Sequence, residues 1–344
     1  MAAEINIAVL GAGRIGRLHA ENLTTQVRGA RVLTVADPRL ERARDAAAAC
    51  GDTVRATADP FAACRDPEVA AVVVASSTDT HARLVEEAAA AGKHVFCEKP
   101  LDLDPVRIRH LLQVVRAAGV QLQVGFNRRF DPNFARLASL VRTGAAGVPH
   151  VIRITSRDPQ PPPPEYVRVS GGIFLDMSIH DLDLARFLAG DEVVQVYATG
   201  SVLVDAEIGR AGDVDTAAIV LRFAGGAIAC IDNSRRAVYG YDQRVEVFGS
   251  QGCVVAGNQT PTSVAVWSGS GQLHEPPLHF FLERYQESYV EEMRAFVEAV
   301  RSGRPVPAPG EDGLRAVELA LAAQRSLDSG VPVATDLPDA EIAA

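Results

Sequence analysis

The sequence predicts an α/β chain: a doubly wound parallel sheet, then a second α/β domain with an open, largely antiparallel sheet. Three observations predict it. Over residues 1–124 short, fully apolar runs alternate with helical patterns, as in a parallel sheet covered on both faces. A glycine-rich turn, Gly11-Ala12-Gly13-Arg14-Ile15-Gly16, joins the first apolar run to the first helix. Beyond residue 190 apolar runs follow one another with no helix between them, the pattern of an antiparallel or mixed sheet.

In order, residues 5–10, 32–36, 71–75, 94–97 and 121–125 read as strands, being short and apolar. Residues 15–27, 39–49, 81–91 and 106–118 lie between them and read as helices, rich in alanine or leucine at helical spacing. The pattern then changes. A helix over 132–141 and a strand over 151–156 lead into prolines at 159 and 161–164, an extended connector or a flap over a cleft. Gly171-Gly172 precedes a helix that carries Asp176 and His180 and runs to about residue 188. Strands over 193–200, 217–223, 227–232, 243–248 and 253–256 follow, and helices over 282–301 and 313–327 close the chain. The expected domains are residues 1–124 and 125–335.

With 344 residues, 47% of them hydrophobic, the chain has material for two cores. A formal charge of -9 and a pI near 5.4 argue against nucleic acid or an anionic membrane as partner, since both call for a basic surface. No apolar stretch approaches the ~20 residues of a membrane span. The five cysteines are scattered, with no CxxC and no Cys/His cluster, as expected of a reduced, cytoplasmic chain. The opening Met1-Ala2-Ala3-Glu4 lacks the basic start of a signal peptide, which supports the same expectation. Asp176, His180 and Asp183 could offer metal ligands, but no other spacing supports a zinc site, so no metal is expected. Only Lys93 and Lys99 are lysine among 34 basic residues, as a GC-rich genome favouring arginine codons would give; the other reading is that a lysine surviving such a bias does work that arginine could not.

The glycine turn matches GxGxxG in its required context, after a strand and before a helix. Gly11 permits the tight turn, Gly13 lets the backbone approach a pyrophosphate, and Gly16 packs helix on strand, with Arg14 and Ile15 between them on the same cofactor-binding loop. Asp37 ends the second strand, 21 positions after Gly16. An acid there accepts from ribose hydroxyls and repels a 2′-phosphate, favouring NAD; Arg39, two residues on, leaves NADP open as the second choice. Asp37 also reads as a helix N-cap ahead of Pro38. Ser76, Ser77, Thr78 and His81 follow the strand at 71–75, where they either meet the cofactor or cap the next helix. Cys97-Glu98-Lys99-Pro100 ends another strand at the same edge, and an ammonium at Lys99 can donate to a substrate oxygen. Lys93 belongs at the opposite edge and reads as structural. Asp176 and His180, four residues apart, share a helix face and can hold and deprotonate a hydroxyl; the alternative is a polar face turned to solvent.

These residues together resemble the Gfo/Idh/MocA family of nicotinamide-dependent oxidoreductases over essentially the whole chain. The marks are GAGRIG, the Cys97-Glu98-Lys99-Pro100 turn, GFNRRFDPNF at 125–134 and GGIFLDMSIHDLDLARFL at 171–188. The resemblance implies a Rossmann domain followed by an α/β domain whose open sheet supports a homo-oligomer, a dimer or tetramer. It implies Lys99, Asp176 and His180 as the catalytic trio, with Glu98 and Asn127 near the cofactor. It further implies substrate contacts from Arg128, Asp183 and Tyr239 or Tyr241. Within the family, the 171–188 segment and Tyr239-Gly240-Tyr241-Asp242 look most like inositol 2-dehydrogenases. That implies NAD-dependent oxidation of a secondary hydroxyl on a cyclic polyol, with sugars and aminocyclitols as alternatives. Asp158, another expected substrate contact, departs from that pattern, as does the polyproline stretch after it. The reading of another class is a non-catalytic NAD-binding regulator; presence of the whole Lys99/Asp176/His180 set argues against it.

Overall fold

The computed structural model describes residues 4–335. The first elements are β1 (Ile5–Leu10), α1 (Arg14–Thr25), β2 (Ala30–Ala36), α2 (Leu40–Cys50), β3 (Arg55–Thr57), α3 (Pro60–Arg65), β4 (Ala71–Val74), α4 (Thr78–Ala90), β5 (His94–Glu98), α5 (Pro105–Ala118) and β6 (Leu122–Gly125). All six strands pair in parallel in the order β3-β2-β1-β4-β5-β6. The order reverses between β1 and β4, and ligands of such sheets bind beyond the strands' carboxyl ends at that point. β3 and α3 were not among the expected elements. Three residues, Arg55 to Thr57, carry no readable period, although the α3 start was signalled: Asp59 accepts from the Phe61 and Ala62 amides just ahead of the helix.

The next elements are α6 (Pro132–Arg142), β7 (Pro149–Arg157), α7 (Pro164–Ser170), α8 (Ile179–Ala189), β8 (Val193–Ser201), α9 (Ala206–Arg210), β9 (Thr216–Phe223), β10 (Ile228–Ser234), β11 (Asp242–Gly249), β12 (Gly252–Ala256), β13 (Ala265–Ser268), β14 (Gly271–His274) and α10 (Phe281–Arg284). The chain continues through α11 (Gln286–Ser302), α12 (Gly310–Ser329) and β15 (Val333–Ala334). A seven-stranded sheet runs β12-β11-β7-β10-β9-β8-β15, and its pairs are antiparallel except β7 with β10. One face alternates inward, with Ile152, Ile154, Ile219, Leu221, Val245 and Val247 buried, and α8 packs on β7. The expected strands are present, and α7, α9 and the β13–β14 hairpin are additions. Both hairpin strands are four residues long and largely exposed, so they show no apolar period.

Two compact units result. Among the described residues, one holds 4–130 together with 287–317; the other holds 131–286 and 318–335. The single cut expected after residue 124 leaves 287–317 with the second domain, whereas in the structure they pack on the first. The cause is apolar burial: Val290, Met293, Phe296 and Val297 of α11 share a core with Ile7, Val9, Leu23 and Val73. No helix among the described residues is long and apolar enough to cross a membrane.

Candidate active site

In the first unit the expected nucleotide loop is shaped by close approach. At Gly11 (φ +102°) a Cβ would lie 2.5 Å from the Ala75 carbonyl oxygen, and at Gly16 it would lie 1.9 Å from the Gly11 carbonyl oxygen. Neither position accepts a side chain. Around Gly13 nothing lies within 4 Å of that point, so the loop is open where a pyrophosphate would approach the helix N-terminus. Asp37 is buried beneath this loop; its Oδ2 accepts from the Ala12 amide (2.9 Å) and its Oδ1 from the Arg39 amide (2.8 Å). Asp37 is not the N-cap that the sequence offered: α2 starts at Leu40 with Arg39 in the cap position. Its carboxylate holds the glycine loop against the end of β2. Arg14 is exposed and Ile15 half-buried.

Ser76 Oγ lies 2.6 Å from Thr80 Oγ1, and Ser77 is the N-cap position of α4, which begins at Thr78. His81 is buried with Nδ1 2.8 Å from the Pro100 carbonyl and Nε2 3.1 Å from the Ser76 carbonyl. Both ring nitrogens are thus turned to the backbone, and His81 ties the β4 loop to the turn after Lys99. The Lys99–Pro100 peptide is cis. Glu98 turns inward, its Oε1 2.7 Å from His19 Nε2 of α1. Asn127 and Arg128 are buried in a 3-10 turn, Asn127–Phe130, that follows β6, and Ser288 donates to the Asn127 carbonyl.

The second unit brings Asp176, Asp158 and three further residues together. The helix expected over Asp176 and His180 is in two pieces, a π-helical turn at Phe174–Ser178 and then α8. The wider turn sets Asp176 and His180 off the regular i,i+4 geometry, and such turns are frequent at functional sites. Arg235, buried, places Nη2 2.9 Å from Asp176 Oδ2 and Nη1 3.4 Å from Asp158 Oδ2. Tyr166 of α7 donates from its hydroxyl to Asp176 Oδ1 at 2.8 Å. Asp213 accepts from the Ile173 amide at 3.1 Å, just ahead of the π turn. Burial pushes the Asp213 carboxyl above its usual range. Burial opposes the charge on Arg235, but Asp176 and Asp158 outweigh it and the guanidinium is held above its usual range. Burial and the neighbouring Asp176 charge push the Tyr166 phenol up, so it stays a donor.

Asp183 is buried on α8 and His180 is half-buried. Tyr239 is exposed; it donates to Asp242 (2.6 Å) and accepts from Arg157 (3.1 Å). Tyr241 is a core residue, set edge-on to Tyr285 with ring centres 5.9 Å apart. Of the two tyrosines offered as substrate contacts, the structure leaves only Tyr239 at the surface.

Residues 5–126 match the model of an oxidoreductase family with an NAD-binding Rossmann fold, and residues 134–255 match the GFO/IDH/MocA C-terminal domain. The chain is 52% identical over 324 residues to the myo-inositol 2-dehydrogenase of Thermotoga maritima, spanning 94% of this chain and 96% of that one. The chain belongs to the Gfo/Idh/MocA family. It is 48% identical to the inositol 2-dehydrogenase of Rhizobium meliloti, over 94% of this chain and 97% of that one. The solved structure of scyllo-inositol dehydrogenase from Lactobacillus casei, with bound NAD(H) and scyllo-inositol, matches with a TM-score of 0.89 at 30% identity, covering 99% of this chain and 100% of that one. As a member of this family the chain is an oxidoreductase, and its first unit is an NAD-binding Rossmann domain whose open Gly13 loop and buried Asp37 suit the dinucleotide.

Sequence reasoning missed Arg235, Tyr166 and Asp213. Arg235-Arg236 carries no motif, and arginine is common in this chain. Tyr166 follows the proline run read as a connector or a flap and was assigned to no element, although Pro164-Glu165 is a fair helix start, with proline in the first turn and an acid after it.

Proposed function

We propose that the enzyme oxidises a secondary ring hydroxyl of a cyclic polyol with NAD, with myo-inositol to its 2-keto form as the leading reaction. One observation carries this reading: the near full-length likeness to enzymes named for inositol oxidation, at 52% and 48% identity. NAD held at the Gly11–Gly16 loop and Asp37 would supply the acceptor for the carbinol hydrogen as hydride. His180 takes the hydroxyl proton, since imidazole titrates in the range such a step needs. Lys99 donates to the same oxygen and steadies its developing charge. Asp176, itself held by Arg235 and Tyr166, accepts from a substrate hydroxyl. Arg128, Asp158, Asp183 and Tyr239 serve the remaining hydroxyls of the ring.

Initial rates of NADH formation across myo-inositol, scyllo-inositol, glucose, xylose and aminocyclitols test the substrate. myo-Inositol should give the highest kcat/KM; an enzyme blind to inositols but active on an aldose ends this reading. Lys99→Met and His180→Ala should each lower kcat by roughly 10²- to 10⁴-fold while NAD still binds. Near-normal turnover in either variant removes that residue from its role. Asp37→Ser should lower the NAD/NADP ratio of kcat/KM, and an unchanged ratio takes Asp37 out of cofactor choice.

The alternative is an aldose or aminocyclitol as substrate on the same fold. The same panel separates the two.

We also infer a homo-oligomer formed through the open sheet face. Tyr197, Val220 and Cys230 lie in one cross-strand row, with Ile228, Phe248 and Val255 on the same side, and all are exposed. A solvated sheet face is ordinarily polar, and an apolar patch of this kind marks an interface.

A further inference from the structure

Behind the Lys99 turn lies a cluster that the proposed reaction does not use. His19 of α1, Glu98 at the end of β5 and Glu292 of α11 bring one ligand atom each to within 4.8 Å of one another. Glu292 is fully buried (0% exposed), and neither of its carboxyl oxygens has a hydrogen-bond partner. Glu292 Oε1 is 3.9 Å from His19 Nε2, too far for a hydrogen bond, while Glu98 Oε1 is 2.7 Å from the same nitrogen. His19 Nδ1 is also buried without a partner.

We propose that this cluster is a buried proton-binding site in which Glu292 is a neutral carboxylic acid at neutral pH. Charge counting supports it. An ionised Glu292, fully buried beside the half-buried Glu98 carboxylate and with one imidazole between them, lacks the partner that a buried charge requires. Either a cation or a proton must make up the difference. Two ligands on one zinc ion at about 2.1 Å would stand roughly 3.4 Å apart in tetrahedral geometry, well beyond the His19–Glu98 separation. That contact is a hydrogen bond, with imidazole Nε2–H donating to the Glu98 carboxylate, and leaves the proton on Glu292. Desolvation, and then the Glu98 charge, push the Glu292 carboxyl well above its usual range. The titratable groups facing it are His19 from α1 and Glu98 from β5. Its own helix adds Tyr289, edge-on to His19 at 5.8 Å, and β6 adds the uncharged Gln123, whose amide donates to the Glu292 carbonyl (3.0 Å).

The sign of the stability effect follows from linkage. A carboxyl whose folded pKa is raised contributes stability that is fully present below its unfolded value and is lost as pH rises towards the folded value. Glu292→Gln keeps the shape and has no such proton to lose. Its Tm relative to the wild type should therefore climb between about pH 5 and pH 9, by about 2–4 °C or more. Elemental analysis of both proteins after zinc addition should find no stoichiometric metal in the cluster. Infrared spectra at neutral pH should show a carboxylic-acid carbonyl stretch that persists in Asp213→Asn, where the other carboxyl raised by burial is gone, and disappears in Glu292→Gln. A Tm gap that is flat or narrows with pH, an absent acid stretch in Asp213→Asn, or equimolar zinc lost in Glu292→Gln would each overturn the proposal. If Glu292→Gln does not fold, the Asp213→Asn spectrum decides alone. None of these readouts uses turnover, so the outcome is independent of the dehydrogenase reading.

Discussion

Arg235 is 3% exposed and divides one guanidinium between Asp176 and Asp158. Its pair with Asp176 and the Tyr166 hydroxyl hold the two oxygens of that carboxylate from different elements. Removing the charge takes from two half-buried carboxylates the cation they share. Arg235→Met is expected to cost about 3 kcal/mol of stability, the scale for stranding buried charge. It should also lower kcat by roughly 100-fold, the scale for a misplaced reacting group. Arg235→Lys keeps the charge but loses the fork, and should recover stability more than turnover. Urea unfolding and steady-state rates measure the two. Full activity in Arg235→Met would show that Asp176 needs no such support.

Elements depend on similar fixed points. Gly172 (φ +78°) lies where a Cβ would be 2.9 Å from Asp213 Oδ1, so the backbone can pass under Asp213 into the π turn only as glycine. Asp215 organises the loop ahead of β9: its carboxylate accepts from the amides of Leu203 (2.8 Å), Val204 (2.8 Å) and Asp205 (2.9 Å), and its own carbonyl accepts from the Arg235 amide (2.8 Å). Burial raises the Asp215 carboxyl, but the amides of Leu203, Asp205 and Val204 outweigh it, and it is held below the usual carboxylate range. A depressed folded pKa contributes stability above the unfolded value, about 3.9, that is lost as pH falls through the folded value. Asp215→Asn should therefore cost about 2 kcal/mol near neutrality, and the gap from the wild type should shrink in acid below about pH 4. Denaturant melts across pH check this; a gap that does not change with pH removes the charge from the account.

For the molecule as a whole, the open sheet face makes the strongest demand. Arg153 and Glu246 form an ion pair on it, and the apolar residues on either side are exposed, the surface through which the inferred homo-oligomer would form. Val220→Glu with Tyr197→Glu should shift the protein to a smaller species by light scattering, with the NAD site intact. An unchanged mass would place the oligomer contact elsewhere.

The alternation of strands and helices, the glycine loop, the Lys99 turn and the Asp176/His180 segment were all legible in the chain. Each is written in residues within one or two turns of each other, and periodicity and backbone sterics act over that distance. The site around Asp176 was not legible in the same way. Arg235 is 59 positions from Asp176 and Tyr166 lies on a helix the prolines concealed, so no local spacing links them. The inward turn of Glu98 and the burial of Glu292 likewise arise when α1, β5 and α11 meet in one core, and so does the transfer of α11 to the first unit. Such pairings are selected by packing and charge balance among distant segments, which hydropathy along the chain does not encode.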